Sequence, residues 1–448
     1  MMRSMYSAVS SLKAHQLKMD VIGNNIANVN TVGFKGTRVT FQEVFSQTLR
    51  GAGRAQEGGR GGTNPQQVGL GINVNSMDTF HTRGSVESTG YNTDLMINGE
   101  GFFVVSDTQG GLQKSYTRAG AFGLDANGNL ITPDGYYVLG YTAVRDADGQ
   151  VQKNEKGQPI FEENLTGLRI SRDETAPPAA TTKATFTGNI DSNLSADSTG
   201  TAGDGGIHET VMKVHDSLGN AHTVKVQFQR TDQGNDTKRT FAVTITELDN
   251  VKLGAPIPLE PATPLTFDSA GILDKTALTK GTLKLGHATD GLDGAKQLSI
   301  ELDFTKLTSY AADKGAKSDA AALEINGYAS GKIDDFTIST TGEIEANFTN
   351  GSRQILGRVG LANFKNPAGL LKTGGNMYRE TSNSGEVMFG YAGTGGFGAL
   401  NPGAIEMSNV DISREFTDMI TTQRGFQANS RIITTSDEML QEIVNMKR

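Results

Sequence analysis

"NNIANVNTVGFKGTR", residues 24–38, decides how this chain is built. It follows a stretch with helical spacing, yet it carries four asparagines and two glycines. Asn24, Asn25, Asn28 and Asn30 compete for local backbone hydrogen bonds and tolerate left-handed geometry. Gly33 and Gly36 supply any positive φ that the exit requires. With Phe34 and Lys35 between the glycines, the segment reads as a helix-ending motif that turns the chain from helix to extended strand.

Upstream of it, Met5, Leu12, Met19 and Ile26 fall seven residues apart. Met2, Val9 and Gln16 fill companion positions three residues earlier, so the opening is a heptad seam. The end of the chain repeats the device. Ile412, Met419, Phe426, Ile433 and Leu440 are again seven apart, with Phe416, Gln423, Ser430, Asp437 and Val444 as companions. Asp411 or Ser413 can cap this second helix, and Gly425 is its one interior weak point. Gln16, Gln423, Ser430 and Asp437 dilute both seams, so neither helix should stand alone. A helix at each terminus predicts that the two pair. That pair is either a hairpin closed within one chain or a coiled coil that also packs on neighbouring copies. The weak seams favour the second, ordered on assembly.

The chain has 448 residues, enough for two to four domains, and a net charge of -8, which argues against nucleic acid or an anionic membrane as the main partner. Glycine fills 56 positions, well above the ~7% that is usual, and this suits turns and short strands. Cysteine is absent, which excludes disulfides, thiolate metal sites and cysteine-derived cross-links. The first 25 residues lack the apolar core of a secretory signal peptide, and no apolar run is long enough for a membrane helix.

Between the ends, residues 51–71 are rich in glycine and read as an extended linker region. Short alternating strands follow. Asn98-Gly99, Asn127-Gly128 and Asp134-Gly135 give hairpin turns, as does "DADG" at 146–149. Asp125, Asn127 and Asn129 are not a calcium loop, because glycine stands fourth rather than sixth and no glutamate closes the loop. Residues 151–325 shift in composition. Polar stretches such as "SADSTGTAGDGG" (195–206) separate the alternating strands 223–230, 241–248 and 297–304, read as a half-exposed antiparallel sandwich or barrel. His208, His215 and His222 are seven apart; a two-residue turn at Leu218-Gly219 would set the last two opposite each other. They lack a third ligand and are expected to face solvent. No grouped nucleophile and base appears, so no catalytic, cofactor or metal residue is assigned and the chain is not expected to be an enzyme.

"NNIANVNTVGFK" near the start and "NVDISREFTDMITTQRGFQANSRIITTSDEMLQ" near the end resemble the flagellar rod and hook proteins. "LMINGEGFFVV" (95–105) and residues 116–141 extend the likeness, and "VHDSLGNAH" (214–222) is similar to the insert of the hook-type members. The resemblance implies a mainly β fold with terminal α-helices, the β domains nested in series between an N-terminal and a C-terminal helix that form a coiled coil. The expected domains are a helical pair (1–30 with 410–448), an extended linker (31–71 with 406–409), an inner β domain (72–150 with 326–405) and an outer β insert (151–325) of one or two subdomains. It implies a structural subunit of a curved, flexible tube, a homo-oligomer without membrane insertion. The heptad residues and the helix-ending motif named above would form its assembly interface. Implied partners are a distal rod protein, a hook-capping protein and hook–filament junction proteins. The implied location is the extracellular hook, reached by type III export without a cleaved signal peptide. A distal rod protein and, from another class, a secreted β-rich adhesin are the alternatives. The first is expected to be shorter, and the second leaves the paired heptads unexplained.

Overall fold

Each terminal heptad pattern forms one long helix in the computed structural model: α1 spans Met2–Ala27 and α2 spans Ile412–Met446. The structure describes residues 2–54, 61–146, 149–155, 157–194, 207–231, 238–249, 251–274, 279–285, 297–311 and 318–446. The polar stretch 195–206 and part of the glycine-rich 51–71 lie outside them. Asp411 caps α2, its Oδ1 accepting the Ser413 N–H at 2.9 Å. Asn25 meets Glu415, Lys18 meets Asp418, and Ser11 meets Asn429, so the two helices run antiparallel. At ~1.5 Å per residue, α2 overhangs the start of α1 by about two turns.

Thr37–Glu43 pairs antiparallel with Ile72–Thr79, and Phe41, opposite Val74, lays its ring edge on His15 of α1. Beyond it Ser46–Arg50 pairs with Gln66–Gly69. The expected linker is therefore a paired ribbon, and residues 72–79 belong to it rather than to the inner β domain. Alternating apolar residues on both strands give it a face to pack.

The inner body is a 13-stranded sheet built from both sides of the insert. Phe102–Ser106, Tyr137–Thr142 and Arg353–Asn363 lie at its centre. One face carries Leu95, Phe103, Val138, Leu361 and Leu400; a smaller core on the other holds Phe102, Tyr116, Phe364 and Tyr378. Thr166–Gly167 pairs with Tyr137–Thr142, and Leu168, Ile170 and Ala176 sit in the inner core. The insert therefore starts close to Lys183, not at 151; the alternation is legible on both sides of that boundary, but which sheet it faces is not.

In the insert, Lys183–Asn189 lies between Leu298–Thr308 and Ala321–Ile325, with Lys280–Leu285 at the edge. A second sheet holds Ile207–His215, Ala221–Arg230, Arg239–Leu248, Val251–Pro258 and Leu265–Phe267. Phe186, Phe228, Phe241, Phe267 and Phe304 form one core shared by both sheets, which makes the insert a single sandwich. Its pairing is not wholly antiparallel. Lys183–Asn189 runs parallel to Leu298–Thr308, because the chain visits the second sheet between them.

The turns follow one rule. In 125–129, 216–220 and 268–272 an Asp Oδ1 accepts the N–H groups two and four residues on, and a glycine takes φ of 82°, 90° and 72°. Gly135, at φ 84°, plays the same part after Thr132, whose Oγ1 accepts the Tyr136 N–H. Only the glycine is left-handed, so these are three-residue bulged turns rather than two-residue ones. The extra residue shifts the register: His222 stands opposite Val214, and His215 opposite Ala221. Nor do the histidines simply face solvent. His208 bonds the Ala320 carbonyl at 2.9 Å, and His222 lies between Asp249 (2.7 Å) and Asp216 (3.5 Å).

Candidate functional site

The helical seam is made of small and polar residues. Met5, Leu12, Met19 and Ile26 are half-buried on α1, as are Met419, Phe426, Ile433 and Leu440 on α2, while the contacts between the helices run through Ser11 with Asn429, His15 with Gly425, Lys18 with Asp418 and Asn25 with Glu415. The companion positions differ from the sequence reading by one residue. Ala8, Ile22, Thr422 and Ser436 are buried and His15 and Asn429 half-buried, while Val9, Gln16, Phe416, Gln423 and Val444 point away and Ser430 is half-buried. Spacings of three and four both satisfy a heptad, and the choice between them falls to packing. Gly425 is part of that packing. A Cβ there would lie 3.1 Å from the His15 ring, so the glycine lets the helices approach.

The residues left outside form apolar lines of their own. Met2, Tyr6 and Val9, spaced four and three, are exposed on α1. On α2 Phe416 and Ile420 are exposed on one flank, and Ile432, Met439 and Ile443, spaced seven and four, on another. Ile412 and Val444 are exposed at the two ends. The far half of the ribbon is also uncovered. Phe45 adjoins Leu70, Gln47 opposes Val68, and Leu49 follows, so one face of a two-stranded ribbon is apolar and in water.

The helix-ending motif does more than end a helix. Asn28 bonds back to Asn24 and receives the Thr31 hydroxyl, which closes α1; Asn24 and Asn30 are exposed. Asn25 is buried and works as a clamp. Its Nδ2 donates to the Thr37 carbonyl (2.7 Å) and to Glu415 (3.2 Å), and its Oδ1 accepts the Thr37 N–H (3.0 Å). Gly33 has φ 69° and donates its N–H to the Glu406 carbonyl at 2.7 Å. Gly36 keeps an ordinary φ and donates to Asn409 Oδ1.

Lys35 and Glu406 are wholly buried and ion-paired at 2.6 Å. The Lys35 ammonium also donates to the Thr82 carbonyl (2.7 Å), and the Gly84 N–H donates to Glu406 (2.9 Å). Arg118 donates to the other Glu406 oxygen (3.4 Å) and to the Gly99 carbonyl (2.9 Å), its guanidinium over the Phe102 ring. Burial pulls Lys35 and Arg118 below their ordinary values. Burial alone would push Glu406 up; Lys35, the Gly84 N–H and Arg118 outweigh it and hold the carboxyl below the ordinary glutamate range, so the cluster is ionic. His81 packs edge-on against Phe102 and Tyr378, and burial, with Lys35, Arg118 and Lys372 near, lowers it to about 4. Arg118, Glu406 and His81 escaped the sequence reading. The one trace of the cluster is a lone charge inside each of the small or apolar runs "VGFKG", "YTRAG" and "GAIEM".

Paired terminal helices, β domains nested between them, and apolar lines left uncovered define a subunit built to polymerise. Family models match along the chain: flagella basal body rod protein at 5–35, flagellar hook protein FlgE/F/G D1 domain at 96–174, flagellar basal body protein FlaE D2 domain at 189–328, and flagellar basal body rod FlgEFG protein C-terminal at 401–446. Flagellar hook protein FlgE of Borreliella burgdorferi is 38% identical over the whole of both chains. Flagellar basal-body rod protein FlgG of Bacillus subtilis is 31% identical, also over the whole of both. A crystal structure of Helicobacter pylori flagellar hook protein FlgE2 shares the fold, with a TM-score of 0.50 at 17% identity over 70% of this chain and 99% of that one. The chain belongs to the flagellar hook protein family.

Proposed function

We propose that this chain is a structural subunit of a bacterial flagellar hook, polymerising head-to-tail into a flexible curved tube. The observation that carries the reading is the set of apolar lines outside the helical seam: Met2, Tyr6 and Val9, Phe416 and Ile420, and Ile432, Met439 and Ile443. A pair already closed within its chain does not need them, whereas a neighbouring pair can cover them. Contacts between unlike faces generate an open helix when the rotation from copy to copy does not close. The helices then form the inner tube around an export channel, and the apolar ribbon face of Phe45, Leu49, Val68 and Leu70 lies along neighbouring copies. The outer sandwiches make contacts weak enough to slide as the bent tube turns.

Further partners are a distal rod protein, a hook-capping protein and hook–filament junction proteins. The location is extracellular, reached by the flagellar type III export route. A rod role is the second reading. The Bacillus subtilis relative carries a rod name at the length of this chain, so length does not separate rod from hook; the higher identity to a hook-named relative favours the hook. The test is expression in a motile bacterium lacking its own hook protein. Curved extracellular tubes and restored swimming are expected; straight rods that end at the cell envelope would favour the rod reading.

A further inference from the structure

We infer that Glu406 is the lock that holds the helical pair at a fixed angle to the β body, and that its carboxylate sets the bending stiffness of the assembled tube. The inference rests on the hook reading for the tube and on geometry for the lock.

The chain passes between helices and body at two places, residues 28–36 after α1 and residues 407–411 before α2. Glu406 stands at the foot of the second. Its side chain takes Lys35 from the first passage, the Gly84 N–H from the segment after the ribbon, and Arg118 from the inner sheet. Its backbone carbonyl takes the Gly33 N–H. One residue thus gathers three separate segments: the first passage, the stretch after the ribbon and the inner body.

Several other side-chain ties across this junction are less deeply buried, beside backbone bonds from the Phe80 N–H to the Gly36 carbonyl and from the Met407 N–H to the Ser85 carbonyl. Asn409 bonds the Phe80 and Thr82 carbonyls, Asn376 bonds the Val32 carbonyl, and Lys372 bonds the Lys35 carbonyl. Asn409 is only half-buried and Lys372 exposed, so water can replace their bonds and let the partners slide. Lys35 and Glu406 have no exposure, so no water is at hand when they part. Moving Lys35 off the carboxylate leaves the ammonium with the Thr82 carbonyl alone and the carboxylate with the Gly84 N–H and Arg118, a loss that burial keeps water from offsetting, which makes the joint either closed or broken with little between. A joint of that kind transmits torque without yielding, and its loss should free the helices to rock.

The test uses the full chain and its Glu406→Gln and Lys35→Met variants, read by amide exchange in the monomer and by electron microscopy of tubes. In Glu406→Gln the amides of residues 28–36 and 406–411 should exchange about tenfold faster or more, while the sandwich strands keep their protection. Tubes should keep their diameter and bend more readily than wild type, with a shorter persistence length. Lys35→Met should fall between, because Arg118 still holds the carboxylate. Unchanged exchange at 28–36 together with unchanged stiffness would overturn the lock, as would equal loss of protection throughout the chain. If Glu406→Gln does not fold, Lys35→Met is read against wild type on the same two measures. A wild-type chain that forms no tubes overturns the hook reading; the exchange measurement still decides the lock.

Discussion

At the scale of single residues, the motif after α1 is held by its geometry at Gly33. Gly33 is left-handed, and a Cβ there would meet the Ala119 backbone nitrogen at 2.5 Å. Backbone cannot move aside as a flexible side chain can, so Gly33→Ala should cost about 2–4 kcal/mol in denaturant unfolding of the junction. His81 gives the junction a pH dependence. Its folded value, about 4, lies below the ordinary 6.5, so the unfolded chain binds the proton more readily. Its contribution is present above pH 6.5 and is lost as the pH falls toward 4. The lowered Glu406 has the same sign and adds its loss at still lower pH. Stability should therefore fall by about 1–3 kcal/mol between pH 6.5 and 4. His81→Phe, which keeps the packing on Phe102 and Tyr378, should flatten that slope in melts followed across the range. A slope unchanged in the variant would assign it elsewhere.

At the scale of elements, the long helices are legible in the sequence because the heptad repeats three times in the first and four times in the second. The register between them is not. Both Val9 and Ala8, or both Phe416 and Glu415, satisfy the spacing, and burial of the smaller or more polar partner follows from the close approach that Gly425 permits. The ribbon reads as linker because its glycines hide its alternation. Its exposed face makes a clear prediction. Phe45→Asp with Val68→Asp should leave the monomer's melting within about 0.5 kcal/mol of wild type, since both side chains already face water. Assembly, followed by light scattering, should be lost. Normal assembly of the double variant would remove the ribbon from the interface.

For the whole molecule, the order of the nested domains could be read from the sequence, but the boundary near Lys183 and the buried cluster could not. Lys35, Arg118 and Glu406 are brought together from three distant parts of the chain, and nothing local marks them as partners. The sandwich leaves and rejoins the body at adjacent strands, where the Asn326 side chain accepts the Thr182 and Lys183 N–H groups. Joining 182 to 326 directly should therefore leave the inner body folded and able to assemble, in tubes that are narrower and straighter. Failure of the shortened chain to assemble would mean that the sandwich contributes to the core of the tube.

The most direct measurement is electron microscopy of the purified full chain beside its Val9→Asp, Phe416→Asp double variant, under conditions that promote assembly. Both substitutions lie outside the intrachain seam, so the variant should keep the wild-type circular dichroism and melt. Hollow tubes from the wild type and none from the variant are expected. Tubes from both would show that the apolar lines outside the seam do not carry assembly; monomers from both would show that the helical pair is closed upon itself.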